Sequence, residues 1–112
     1  MTIIWHNPRC SKSRQTLALL EDNGVQAKIR IYLKDAPSDA ELRDVLMKLS
    51  ASPRDIVRKG ETLYKELGLK NADDAALLAA MVANPILIER PIVINGDKAA
   101  IGRPPENVLS VL

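Results

Sequence analysis

The chain has 112 residues, enough for one domain that buries its own core, with 46% hydrophobic and 27% charged residues. A net charge of +2 is too small to imply a polyanionic partner, and three aromatics (Trp5, Tyr32, Tyr64) give little for base stacking. Both argue against a nucleic-acid binder.

No apolar run approaches transmembrane length, and no basic stretch followed by an apolar one marks a signal peptide, so neither a membrane nor an export role is expected. Cys10 is the only cysteine, which excludes an internal disulfide and makes a reducing cytoplasm the natural setting. One cysteine and one histidine make a zinc site improbable, and no bound cofactor is implied.

Residues 2–5 read as a strand and residues 11–23 as a helix, stopped at Asn23-Gly24. Residues 25–33 alternate apolar and polar side chains, with Ala27, Ile29, Ile31 and Leu33 on one face, so a second strand is predicted there. A strand-helix-strand unit of this kind has parallel strands. Ser38-Asp39-Ala40-Glu41 is a capping-box pattern, followed by Leu42, Val45, Leu46 and Leu49 at helical spacing. Pro53 starts a short helix ended by Lys59-Gly60, residues 61–67 form another, and Asp73 opens a further one closed by Asn84-Pro85. Ile92-Val93-Ile94, Asn95-Gly96 and residues 98–101 give a hairpin, and residues 106–112 a terminal helix. The order β-α-β, helices, β-β-α is a thioredoxin-like arrangement with a helical insertion at about 38–84. Pattern alone also admits an unspecified α+β domain.

Cys10 falls where the first strand gives way to the first helix, so its sulfur faces the unpaired N–H groups of the first helical turn. That field favours thiolate over thiol and can hold a second anion beside it. His6, Arg9, Lys12 and Arg14 surround it, with no carboxylate before Glu21. The alternative is a buried cysteine acting as a small hydrophobe; the polar, cationic surroundings argue against it. His6 lies four residues before Cys10, where an imidazolium would stabilise the thiolate, or a backbone partner would simply satisfy the ring.

Ser13 and Arg14 are further candidates to contact an anion in this loop. Arg58, Arg90 and Arg103 all sit at element ends, where binding groups collect, and Arg offers a planar fork suited to tetrahedral oxyanions. Each could equally be an ordinary surface arginine. Pro91 follows Arg90 just before the hairpin, the place where thioredoxin-like folds keep a cis-proline opposite the cysteine.

His6-Asn7-Pro8-x-Cys10-x-x-Ser13-Arg14, Ile31-Tyr32-Leu33, Arg58-Lys59, the segment 64–69, the segment Asn84 to Val93 and Arg103-Pro104 together resemble the glutaredoxin-coupled bacterial arsenate reductases, nearly end to end. The resemblance implies a three-layer α/β thioredoxin-like domain with a mixed sheet, its helical insertion lying between the N-terminal βαβ and C-terminal ββα units. It implies reduction of arsenate to arsenite, with glutathione as co-substrate and glutaredoxin as electron-supplying partner. It carries Cys10 over as nucleophile, His6 as the residue tuning it, and Arg58, Arg90 and Arg103 as oxyanion ligands. Arg9 and Ser11-Lys12 stand where members often have small residues, a departure that bears on substrate more than on chemistry. Spx-type regulators share the fold but carry Cys-x-x-Cys, where this chain has Ser13, and phosphatase-like reductases need an Arg where this chain has Thr16. The alternatives are a non-enzymatic regulator that binds a protein partner on the same fold, and a thiol oxidoreductase with another glutathione-linked substrate.

Overall fold

The computed structural model describes residues 1–112, which cluster into two compact units, Met1–Asp35 with Arg90–Leu112, and Ala36–Glu89. The first unit is built on a mixed four-stranded sheet of order β2-β1-β3-β4, with β1 Thr2–Trp5, β2 Lys28–Arg30, β3 Ile92–Asn95 and β4 Lys98–Ile101. β1 pairs parallel with β2, as a crossover through the helix α1 (Ser11–Asp22) requires, and antiparallel with β3.

Period-two alternation sorts the strand side chains. Ile4, Val93 and Ala100 lie in register across three strands on one face, where they meet Leu17 and Leu20 of α1 and Val108 and Val111 near the C-terminus. Ile4, Leu20, Val93 and Val108 are fully buried there. This core fixes α1 against the sheet and so fixes the point at which α1 begins.

Three elements of this unit depart from the sequence expectation. The second strand covers only residues 28–30 rather than 25–33, and Ile29 is 48% exposed instead of inward-facing. β2 is an edge strand with one neighbour, and after His6 N–H donates to Arg30 O (2.8 Å) the chain turns away, with Lys34 and Asp35 N–H both returning to Ile31 O. The Arg30 guanidinium lies 5.6 Å from the ring centroid of Trp5, its partner across the ladder.

The terminal helix is a 3₁₀ helix, Pro105–Val111, rather than α. Pro104 and Pro105 bring no N–H donors to its start, and Asn107 N–H closes an i→i−3 bond on Pro104 O at 3.0 Å. The hairpin turns on Gly96-Asp97, one residue later than Asn95-Gly96. Asn95 still pairs with Lys98, and Gly96 takes the positive φ of 62° that the tight turn needs.

The second unit is helical. α2 (Asp39–Leu49) begins at the expected capping box, Ser38 Oγ accepting from Glu41 N–H and Glu41 Oε1 from Ser38 N–H. Its Leu42, Val45 and Leu46 are buried, as are Leu77, Leu78 and Met81 of α5 (Asp74–Ala83), against which α2 packs. Between them run the short helices α3 (Pro53–Ile56), which stops before the expected Lys59-Gly60 because Val57 is extended and bridges to Ile88, and α4 (Thr62–Glu66), and a 3₁₀ turn, Leu69–Asn71. Arg54 staples this stretch by donating to Tyr64 OH, Leu69 O and Ala72 O at 2.9, 3.0 and 2.6 Å. After the 3₁₀ turn Pro85–Leu87, Arg58 N–H bonds Leu87 O and Glu89 N–H bonds Ile56 O, which joins the last segment of the unit to the end of α3. No helix is long and apolar enough to cross a membrane.

Candidate active site

Cys10 is the N-cap residue of α1, with extended backbone angles (φ −92°, ψ 123°). An N-cap side chain lies beside the first-turn N–H groups, and here it is a thiol instead of the usual hydroxyl or carboxylate. The loop that leads to it is held by bonds from both backbone and side chains. Cys10 N–H donates to Asn7 O at 3.0 Å, Arg9 N–H donates to Asn7 Oδ1 at 3.0 Å, and Arg14 Nη1 reaches back to Pro8 O at 2.9 Å.

The thiol is 8% exposed. Burial pushes it up, but the Ser13 N–H, the hydrogen bond and charge of Arg90, and the Lys12 N–H pull the other way, and the thiol titrates below its ordinary range. Arg103 adds a guanidinium whose Nη2 is 3.9 Å from Cys10 Sγ and whose Nε donates to Arg90 O at 2.9 Å. At that distance Arg103 is at the limit of a hydrogen bond to sulfur, while Arg90 lowers the thiol through both a hydrogen bond and its charge. The Arg90–Pro91 peptide is cis, and so is Arg103–Pro104.

The other residues singled out from sequence have different partners. His6 is 6% exposed, and its Nδ1 lies 2.6 Å from Ser13 Oγ. Burial and then the Arg14 charge push its imidazole below the ordinary pKa, so it is neutral near pH 7. The imidazolium–thiolate pair that the spacing suggests gives way to a neutral ring bonded to Ser13. Ser13 Oγ also accepts from Asn7 N–H at 3.0 Å, so its hydroxyl is engaged inside the loop and its backbone N–H is what faces the sulfur. Arg14 is likewise turned onto Pro8. Arg58 belongs to the second unit, where Nε donates to Glu61 (3.2 Å) and Nη1 to Glu89 (2.9 Å). The structure therefore gathers Arg90 and Arg103 at Cys10, while the side chains of Ser13, Arg14 and Arg58 have donors or acceptors of their own.

Sequence reasoning missed two contributors. Asn7 braces the loop through its N–H, its carbonyl and its side chain, and the Asn-Pro pair was the available turn signal. Thr16 is fully buried and donates to Lys12 O at 2.8 Å, the carbonyl of a residue whose N–H serves the sulfur.

The ArsC family profile matches residues 5–111. The chain belongs to the ArsC family. It is 53% identical to a Haemophilus influenzae protein named arsenate reductase, over 98% of this chain and 97% of that protein. It is 52% identical to the Escherichia coli K12 protein named YfgD, over 97% of this chain and 94% of that one. Among solved structures, the arsenate reductase from Vibrio cholerae superposes with a TM-score of 0.95 at 48% identity, covering 99% of this chain and 97% of that one. The α/β, thioredoxin-like fold with its mixed sheet is thus the fold of this ArsC-family chain and of its solved relatives.

Proposed function

We propose that this ArsC-family chain reduces arsenate to arsenite, with Cys10 as the thiolate nucleophile and glutathione and glutaredoxin as the electron source. The observation that carries the reading is the gathering of the Arg90 and Arg103 guanidinium groups and the Lys12 and Ser13 N–H groups around one buried sulfur. Relatives at 52–53% identity that are named arsenate reductase support arsenate as the substrate.

The chemistry follows from that cluster. Cys10 thiolate attacks the arsenic(V) centre, a sulfur–arsenic bond forms, and one oxygen leaves as water after taking up protons. The donors that stabilise the thiolate also face an oxyanion placed against it, and they offset its charge as arsenic–oxygen bonds rearrange. Glutathione sulfur then attacks Cys10 sulfur. The sulfur–arsenic bond breaks with its electron pair going to arsenic, which leaves as arsenic(III), and a Cys10–glutathione mixed disulfide remains. A glutaredoxin thiolate takes over the glutathione and frees Cys10. The two electrons that arsenic gains are those two thiols lose on forming a disulfide. With one cysteine in the chain, the second thiol comes from outside. His6 acts at one remove, holding Ser13 and through it the N–H that faces the sulfur.

The test is steady-state arsenate reduction by the purified chain with glutathione and glutaredoxin. Turnover is expected that vanishes in Cys10→Ser and leaves a glutathionylated Cys10 detectable by mass spectrometry when glutaredoxin is withheld. Full activity with thioredoxin alone and no small thiol would overturn the electron path. No reduction of arsenate with any thiol donor would overturn the substrate.

A further inference from the structure

Gly102 follows β4 and precedes Arg103. Its φ lies in the ordinary region, so a turn does not explain it; a close approach does. A Cβ at this position would collide with Thr16 Oγ1, lie 2.8 Å from Pro91 Cγ and lie 3.1 Å from Thr16 Cγ2. Gly102 N–H donates to Pro91 O at 2.9 Å. The backbone at 102 is thus pressed between the helix that begins at Cys10 and the proline that follows Arg90.

Both obstructing groups are rigidly held. Thr16 is fully buried and bonded to Lys12 O, and the Pro91 ring has no flexible end to swing away. A side chain at 102 therefore moves the backbone rather than its neighbours, and Arg103 is the next residue along. The Arg103 guanidinium spans from Arg90 O to the neighbourhood of Cys10 Sγ, at 2.9 and 3.9 Å. A displacement of a few tenths of an ångström or more at 102 breaks the longer of these contacts first.

We propose that Gly102 is a positioning residue of this site, whose missing side chain lets the backbone seat against Thr16 and Pro91 and so delivers the Arg103 guanidinium to the Cys10 sulfur. The inference rests on reading Cys10 as the reacting thiolate, and it adds a specific mechanical part to that reading. Nothing catalytic is asked of Gly102 or Thr16 themselves.

The experiment is the pH profile of Cys10 alkylation by iodoacetamide in the full chain, without arsenate. Gly102→Ala is expected to move the thiol midpoint upward and slow alkylation at neutral pH by about threefold or more. Arg103→Ala is expected to do the same. The double variant is expected to match Arg103→Ala alone, because both changes remove one interaction. A merely structural loss would leave the midpoint in place, or would add to the Arg103 effect, and either result overturns the proposal. If Gly102→Ala does not fold, both changes are made in a Thr16→Ala background, where the Pro91 obstruction remains and the lost Thr16–Lys12 bond is common to every protein compared. The same non-additivity of Gly102→Ala with Arg103→Ala is expected; additive shifts overturn the proposal there too. A wild-type midpoint at the ordinary cysteine value would instead overturn the thiolate reading itself, so the two failures are told apart.

Discussion

Ser13 Oγ lies 2.6 Å from His6 Nδ1, seven residues back across the start of α1, in a fully buried position. The hydroxyl shares a hydrogen bond with Nδ1 and accepts from Asn7 N–H, so one small side chain closes the Cys10 loop from inside. Ser13→Ala leaves a ring nitrogen and a backbone N–H without their shared partner. A stability loss of about 1–3 kcal/mol is expected, read from urea unfolding. Ser13→Ala should also raise the Cys10 midpoint, since the backbone N–H of residue 13 is one of the donors that lower it. A variant as stable as the wild type would show that the hydroxyl does not brace the loop.

Arg90 and Arg103 both approach the sulfur but not equally. Arg90 acts through a hydrogen bond and its charge, whereas Arg103 Nη2 stands at 3.9 Å. Arg90→Ala should therefore raise the Cys10 midpoint more than Arg103→Ala does. Arg90→Lys should fall between wild type and Arg90→Ala, because lysine keeps the charge and loses the planar fork. Alkylation rate against pH for the four proteins gives the order. If Arg90→Lys matches the wild type, the fork has no part in holding the thiolate.

The sequence revealed the fold through local signals that tertiary structure did not need to overrule. The capping box at Ser38 and Pro53 at the first position of α3 appear where their residues placed them, and the β3–β4 hairpin forms with its turn one residue on. β2 was over-extended because alternation reports a pleat and not a pairing partner, and residues beyond Arg30 have no strand to pair with. The Cys10 loop was legible because a helix N-terminus can be read from adjacent residues. Arg103 and Gly102 at that loop depend on contacts across more than 80 residues of chain (Gly102 to Thr16), and no periodicity encodes those. The partners of Arg58 were equally hidden, since Glu89 is 31 residues away.

Arg54 shows how much of the second unit hangs on one side chain. Its guanidinium serves the Tyr64 hydroxyl and two backbone carbonyls, of Leu69 and Ala72, in a stretch whose helix α4 buries no residue of its own. Arg54→Met keeps most of the stem and removes every donor. A loss of about 1–3 kcal/mol is expected, because carbonyls that are partly buried lose charge-assisted partners. Tyr64→Phe should cost less, as it removes only one of the three bonds. The reverse order in chemical denaturation would mean that the tyrosine contact, not the carbonyl cluster, secures this stretch.

His6 makes stability depend on pH in a direction fixed by its environment. Burial, and then the charge of Arg14, lower its folded pKa from the ordinary value of 6.5. In the unfolded chain the ring takes up a proton near that ordinary value, while in the folded chain it stays neutral. The unfolded state then binds more protons, so stability falls as pH drops below 6.5, and the fall stops once the folded pKa is passed. Above that ordinary value the contribution of His6 is complete and flat. Protonation also places a charge on a buried ring bonded to Ser13, so the pH change that destabilises the protein acts on the loop under Cys10. Thermal melts from about pH 7.5 to about pH 5.5 should show a drop in the wild type that is smaller in His6→Gln, which cannot titrate there. Taking the difference between the two proteins removes the shared contribution of the carboxylates. Parallel curves would mean that His6 keeps its ordinary affinity for protons in the folded chain.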